Sequence, residues 1–330
     1  MVEAIVSREL SGVSASIAYR RGVVFATFLH GIESSNFALT KEKSDELMGV
    51  VSSIALKPPE LRMSTQRYND IFSAAAKRTI QEFRESPSLE ETENRASFYK
   101  RMELMPQTDQ LRIRIAYDIA KYSHRGIVRE GGERYFEHVR GTALILFDEC
   151  GVRDPDMIIA ALLHDSVEDA TIFGSQKGIT AEEWIAEAGL RLNFLFGPYV
   201  SEMVTAVTKP KIDGVDIKDR TDVKRVYLAQ LRNASPEAIL IKMADRLHNL
   251  RTLHFRPLED QQKVAKETLE DYLPIFERGS LKYAYIGDKL LPEIKDLATQ
   301  YLSDSPVIYG KDGIIDRKTR QILAYPAVEE

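Results

Sequence analysis

From about residue 108 onward, apolar residues return every three or four positions, the spacing of one face of an α-helix, and the breaks fall at proline, glycine and short polar runs. The pattern predicts helices over about 108–123, 137–150, 155–169, 180–195, 198–207, 219–233, 236–251 and 260–277, with another ending near 302. Leu240, Met243, Leu247 and Leu250 keep that spacing and are expected to face a core. Strand-type runs are almost absent from this span, so residues 106–285 are expected to form one all-helical domain. The two ends read differently. Residues 307–316 and 321–325 suggest a small hairpin or strand pair, which makes 286–330 a helix followed by short strands. Residues 1–105 form an extension with β-like runs at 4–6 and 23–28, helical stretches near 41–54 and 68–84, and a polar linker over 85–94. The fold class is therefore mainly α, with small mixed α/β terminal extensions. No motif in residues 1–105 carries chemistry.

Composition changes this picture little. With 44% hydrophobic and 29% charged residues, 330 residues can bury a full core. A net charge of -5 argues against broad nucleic-acid binding, which depends on basic surface. The longest apolar runs, such as Ile158 to Leu163, are too short to span a bilayer, and no secretory signal pattern opens the chain. Cys150 stands alone, so no internal disulfide is expected, which fits a reducing cytoplasm. It reads as a core residue rather than a nucleophile. Oligomeric state is not legible.

Candidate chemistry concentrates between 124 and 254. The run Leu162-Leu163-His164-Asp165-Ser166-Val167-Glu168-Asp169 sets two ligand-type residues side by side, with two carboxylates following. In a continuous helix all four side chains would share one broad face. Three acids so close repel unless a cation or shared protons sit among them, and a divalent metal satisfies that. Upstream, a glycine-broken polar turn from His124 ends at His138. Downstream, Asp245, Asn249 and Thr252 share a face away from the leucine stripe. Each of these residues taken singly reads as well as a surface acid or a packed histidine. Arg125, Arg129, Arg134, Lys209, Lys211, Arg246 and Arg251 supply a local cationic cluster suited to phosphate.

The ordered set His138, His164-Asp165, Asp245 resembles the HD-type metal phosphohydrolases. The wider text is similar to one branch, the hydrolase domain of the RelA/SpoT enzymes that degrade the alarmone ppGpp. His124, Gly126, Arg129, Gly132, Glu133, Tyr135 and His138 match that branch's turn, and Leu162 to Asp169 its His-Asp signature. Phe196-Gly197, Val207-Thr208-Lys209, Lys242 to Asn249, Arg251-Thr252 and Glu267 to Tyr272 continue the likeness over roughly residues 108–285. The resemblance implies hydrolysis of the 3′-pyrophosphate of ppGpp or pppGpp to GDP or GTP. It implies His138, His164, Asp165 and Asp245 as ligands of Mn²⁺, although zinc or iron would also accept two imidazoles and two carboxylates. Glu168 and Asp169 would position or deprotonate the attacking water. Arg129, Lys209, Arg246, Asn249, Arg251 and Thr252 would hold the nucleotide, with Arg246 equally able to pair with one of the acids and His124 able to orient a ligand or merely pack at a helix end.

The departures are local. Glu130-Gly131 stands where many members have lysine-serine, Val139 replaces a proline, and Ala170 a threonine. An insertion over 173–178, ahead of a helix carrying Trp184, suggests a lid. The synthetase half is missing, so synthesis of ppGpp is not expected. A hydrolase of ppApp or another 3′-phosphorylated nucleotide, and a sensor that binds without cleaving, stand as alternatives; complete ligand and acid sets favour an enzyme.

Overall fold

The computed structural model of the chain describes residues 89–324, apart from 125, 171–172, 175, 213 and 312. The β-like runs of the N-terminal extension and the helices expected at 41–54 and 68–84 lie outside the described residues. Local signals set most helix starts. Helix α1 (Leu89–Met102) occupies part of the expected polar linker, because Phe98 and Met102 have a core to bury in. It is followed by α2 (Gln107–Ser123) and α3 (Tyr135–Leu144), which widens into a π-helical turn at Ile145–Glu149. At the start of α4 (Pro155–Leu163) the Asp154 carboxylate accepts the backbone N–H groups of Asp156 and Met157, and Pro155 occupies the first turn. Met157 to Leu163 are all buried, as expected of a helix apolar all round.

The helix expected over 155–169 is interrupted. The chain leaves α4 at His164, passes through Asp165 at φ −101° and ψ −6°, and resumes as the single turn α5 (Ser166–Asp169). Thr180 and Glu183 form a reciprocal capping box at the start of α6 (Ala181–Phe196). Gly197, at φ +96°, turns the chain into α7 (Pro198–Val207), a backbone angle that a side chain would strain. Asp219 and Ser235 cap α8 (Arg220–Arg232) and α9 (Pro236–Arg251). Next come α10 (Leu258–Glu267), a π-helical turn at Thr268–Tyr272, α11 (Leu273–Gly279) and α12 (Ala284–Leu302). The expected terminal hairpin is β1 (Val307–Gly310) with β2 (Gly313–Asp316), in register from Val307↔Asp316 to Gly310↔Gly313. A third antiparallel strand, β3 (Ile322–Ala324), pairs with β2.

The described residues divide into two compact units interleaved along the chain, one ending at His124 and resuming over Arg153–Ile217, the other taking 126–152 and 218 onward. In the first, α4 packs against α2 and α7, and α6 packs on α7. The insertion expected to act as a lid is built into this unit: Phe173 and Trp184 are buried. Gln176 Oε1 accepts the Lys211 backbone N–H at 2.5 Å, and Asp216 that of Ala181 at 3.0 Å. Burying a large aromatic is worth about 1.5–3 kcal/mol, which a mobile flap would forgo. In the second unit, α9 packs against α3 and α12, and Leu240, Met243, Leu247 and Leu250 are buried as their spacing predicts. No described helix is long and apolar enough to cross a membrane.

Candidate functional site

In the first unit the break after α4 aims His164. Its Nδ1 lies 2.7 Å from the Ala161 carbonyl, which can only accept, so Nδ1 carries the proton and Nε2 keeps its lone pair. Nε2 stands 3.0 Å from Asp165 Oδ2. Two electron-rich atoms at that distance call for a shared cation, a proton or a metal. The shared helical face expected for His164, Asp165, Glu168 and Asp169 is replaced by this kink. Its effect is to let the adjacent His164 and Asp165 converge. One turn on, Glu168 Oε1 accepts the backbone N–H of Lys209 at 2.5 Å, which ties the acid to the end of α7. Asp169 Oδ2 is 3.3 Å from Nε2 of the buried His124, whose Nδ1–H donates to the Ala120 carbonyl at 2.7 Å. The His124 ring thus faces Asp169 from a helix end. Lys209 is exposed.

The second unit holds the other candidates on α3, α9 and the turn before α3. That turn is a tight hairpin: Val128 bridges Arg134, Arg129 N–H donates to the Glu133 carbonyl at 2.9 Å, and Gly132 adopts φ +84°. It points Arg129 back at α9. There Arg129 Nη2 donates to Asn249 Oδ1 at 2.6 Å, and Asn249 Nδ2 donates to Asp245 Oδ1 at 2.6 Å. Asp245 Oδ1 is 3.1 Å from His138 Nε2, and its Oδ2 is 2.7 Å from Lys242 Nζ. His138 and Asp245 are almost fully buried, at 1% and 4% exposure, so the network is insulated from water. His248 joins it, with Nδ1 3.0 Å from His138 Nδ1 and 3.4 Å from Arg129 Nη1. Burial pushes the His248 imidazole down to about 2, and the positive field of Arg129 adds to the effect.

Among the described residues, His138, His164, Asp165 and Asp245 have the character of a metal-ligating group. The donor chemistry fits a divalent ion: buried imidazoles, one with its second nitrogen held by a carbonyl, beside carboxylates held by other donors.

Several residues expected to contact the nucleotide make contacts within the protein. The Arg251 guanidinium grips Glu149 at 2.7 and 2.9 Å and Glu293 at 2.8 Å through both Nε and Nη2. Arg246 pairs with no acid among the described residues but lies over the Tyr272 ring, 3.9 Å from its centroid. Thr252 Oγ1 donates to the His248 carbonyl at 3.1 Å, and Asn249 is a bridge between Arg129 and Asp245. Lys242 and His248 carry parts of the network to which the sequence pattern assigns no role. His248 lies three residues after Asp245, on the same face of α9, and that spacing is the available signal.

Arg251→Gln is expected to lower stability by about 1–3 kcal/mol, because two half-buried carboxylates lose a shared cation. Burial raises the Glu149 carboxyl, but hydrogen bonds from Arg251 and Lys311 outweigh it and hold the group below its ordinary 4.5. A carboxyl lowered on folding stabilises fully above its unfolded value and loses that contribution as pH falls through the folded one. The gap in urea midpoint between the parent and Arg251→Gln should therefore be wide at pH 7 and close progressively below about pH 4.5.

Comparison with known proteins agrees with this chemistry. The family model described as HD domain matches residues 116–279. The chain is 34% identical over 202 residues to guanosine-3′,5′-bis(diphosphate) 3′-pyrophosphohydrolase of Spiroplasma citri, covering 60% of this chain and 23% of that protein. It is 34% identical over 207 residues to a GTP pyrophosphokinase of Streptomyces coelicolor, covering 59% and 22%. It is 32% identical over 179 residues to the bifunctional (p)ppGpp synthase/hydrolase SpoT of Escherichia coli, covering 53% and 22%. The chain thus spans about a fifth of the length of these curated relatives. A solved structure described as a metazoan ortholog of SpoT that hydrolyzes ppGpp is similar at 24% identity and a TM-score of 0.44, covering 60% of this chain and 98% of that one. Residues 116–279 thus match the HD-domain family, and SpoT-type proteins are among the proteins this chain is similar to.

Proposed function

We propose that this protein hydrolyses the 3′-pyrophosphate of guanosine alarmones, ppGpp and pppGpp, in the cytoplasm, with Mn²⁺ held by His138, His164, Asp165 and Asp245. The observation that carries the reading is the repeated pairing of a buried imidazole with a carboxylate, at 3.1 Å for His138 with Asp245 and 3.0 Å for His164 with Asp165. The relatives' names supply the substrate class, and the mixed nitrogen and oxygen donors favour Mn²⁺ over Mg²⁺. A divalent ion there would offset the carboxylate charge and polarise both water and a phosphoryl oxygen.

The protein's own part is orientation and proton transfer. Glu168, steadied by the Lys209 N–H, takes the proton of the attacking water. Asp169, beside His124, returns a proton to the departing 3′-oxygen. One water is consumed, the bond between phosphorus and the 3′-oxygen breaks, and pyrophosphate leaves with GDP or GTP. Arg129, Lys209 and Arg246 hold phosphate oxygens, and Asn249 and Thr252 flank the nucleoside. Arg251 is not assigned to the substrate.

The test is a substrate panel. Protein loaded with Mn²⁺ is incubated with ppGpp, pppGpp, ppApp and NADPH, and the products are resolved by ion exchange. Pyrophosphate with GDP from ppGpp is the expected result, lost on chelation and recovered better with Mn²⁺ than with Mg²⁺. Orthophosphate release, or an inert ppGpp beside a cleaved alternative, would overturn the reading.

A further inference from the structure

The contacts of His248 bear on which nitrogen of His138 carries its proton. His138 Nδ1 and His248 Nδ1 face each other at 3.0 Å, so one of them is N–H and the other a lone pair. The distance alone does not say which. Arg129 breaks the tie: its Nη1 also approaches His248 Nδ1, at 3.4 Å, and a guanidinium can only donate. For neutral rings, both contacts are satisfied when His248 Nδ1 is the shared acceptor, with its proton on Nε2, and His138 is the donor, with its proton on Nδ1 and its lone pair on Nε2, the atom 3.1 Å from Asp245 Oδ1.

We propose that His248 is the positioning residue of the His138–Asp245 pair: through its Nδ1 lone pair it accepts His138 Nδ1–H and Arg129, and so presents His138 Nε2 as a metal-ready donor. The backbone is shaped around this ring. Gly141, one turn beyond His138 on α3, lies so close to His248 that a Cβ there would meet its Nε2 at 2.3 Å and Cδ2 at 2.4 Å. Only glycine leaves room for the imidazole at its 3.0 Å approach to His138. The far edge of His248 borders a cavity of about 380 Å³ lined also by Gly141, Thr252 and Phe255, where an Nε2–H can be solvated. The role refines the metal site proposed above and rests on that reading for its use, although its geometry does not.

The experiment begins with metal-free protein labelled with ¹⁵N-histidine, whose two-bond nitrogen–proton couplings report the tautomer of each ring. His138 is expected as Nδ1–H and His248 as Nε2–H; the reverse assignment overturns the proposal before any metal or substrate is added. Mn²⁺ affinity is then measured by calorimetry for three variants. His248→Leu and Gly141→Ala are expected to bind about 10–100-fold more weakly than the parent, the usual effect of losing the partner that orients a metal-ligating histidine. His248→Gln, whose carbonyl can accept the same N–H, should stay within about threefold of the parent, since the orienting bond is kept. Equal weakening by Gln and Leu, or a folded His248→Leu with parental affinity, refutes the role. If the tautomers and affinities are as stated but ppGpp is not cleaved, the substrate reading fails and the positioning role stands.

Discussion

Replacing His164 by Ala is expected to strip the protein of its metal and to reduce alarmone hydrolysis to background, while the helices remain folded. His164 Nδ1 hydrogen-bonds to a carbonyl of its own helix, α4, so its loss leaves a small cavity and one carbonyl to rehydrate, at about 1–3 kcal/mol. Asp245→Ala is expected to be equally inactive but less stable, by about 3–5 kcal/mol, because Lys242, Asn249 and His138 all converge on that buried carboxylate. Metal content after loading and dialysis, read beside thermal melts of both variants, checks the pair. A full equivalent of retained metal in either would remove that residue from the ligand set.

Glu168→Gln separates chemistry from metal binding. The amide keeps an oxygen to accept the Lys209 N–H, so the loop after α7 stays in place and the metal is retained. What it loses is basicity. A general base contributes roughly 10²–10⁴-fold, so kcat should fall by at least about 10² with little change in KM. Metal loss in this variant would instead make Glu168 a ligand, and an unchanged kcat would pass the proton to Asp169 or to solvent.

Part of this organisation is legible in the amino-acid sequence. The bounds of α7 and α9 agree with those expected from it, since proline, serine and glycine mark helix ends through contacts a few residues long. The leucine stripe of α9 is buried as its period requires, and the HD-domain match covers the motifs that carry the resemblance. Other features are out of its reach. The partners of Arg251, Glu149 and Glu293, lie 102 and 42 residues away, so the same arginine that reads as a phosphate ligand is also a half-buried brace. The insertion around Trp184 reads as a flap until Gln176 is seen tied to Lys211 and the indole buried.

The sequence by itself determined which elements are helical, where most of them start, and which side chains have the chemistry of a metal hydrolase. Periodicity and capping are local, and a donor set is a matter of residue type. Only the tertiary structure decided how those side chains are used: the kink that brings His164 beside Asp165, the Arg129–Asn249–Asp245 chain, and the contact of His248 with His138. A hydrogen bond depends on direction to within tens of degrees and on distance to within tenths of an ångström, and the packing of helices distant in sequence sets both.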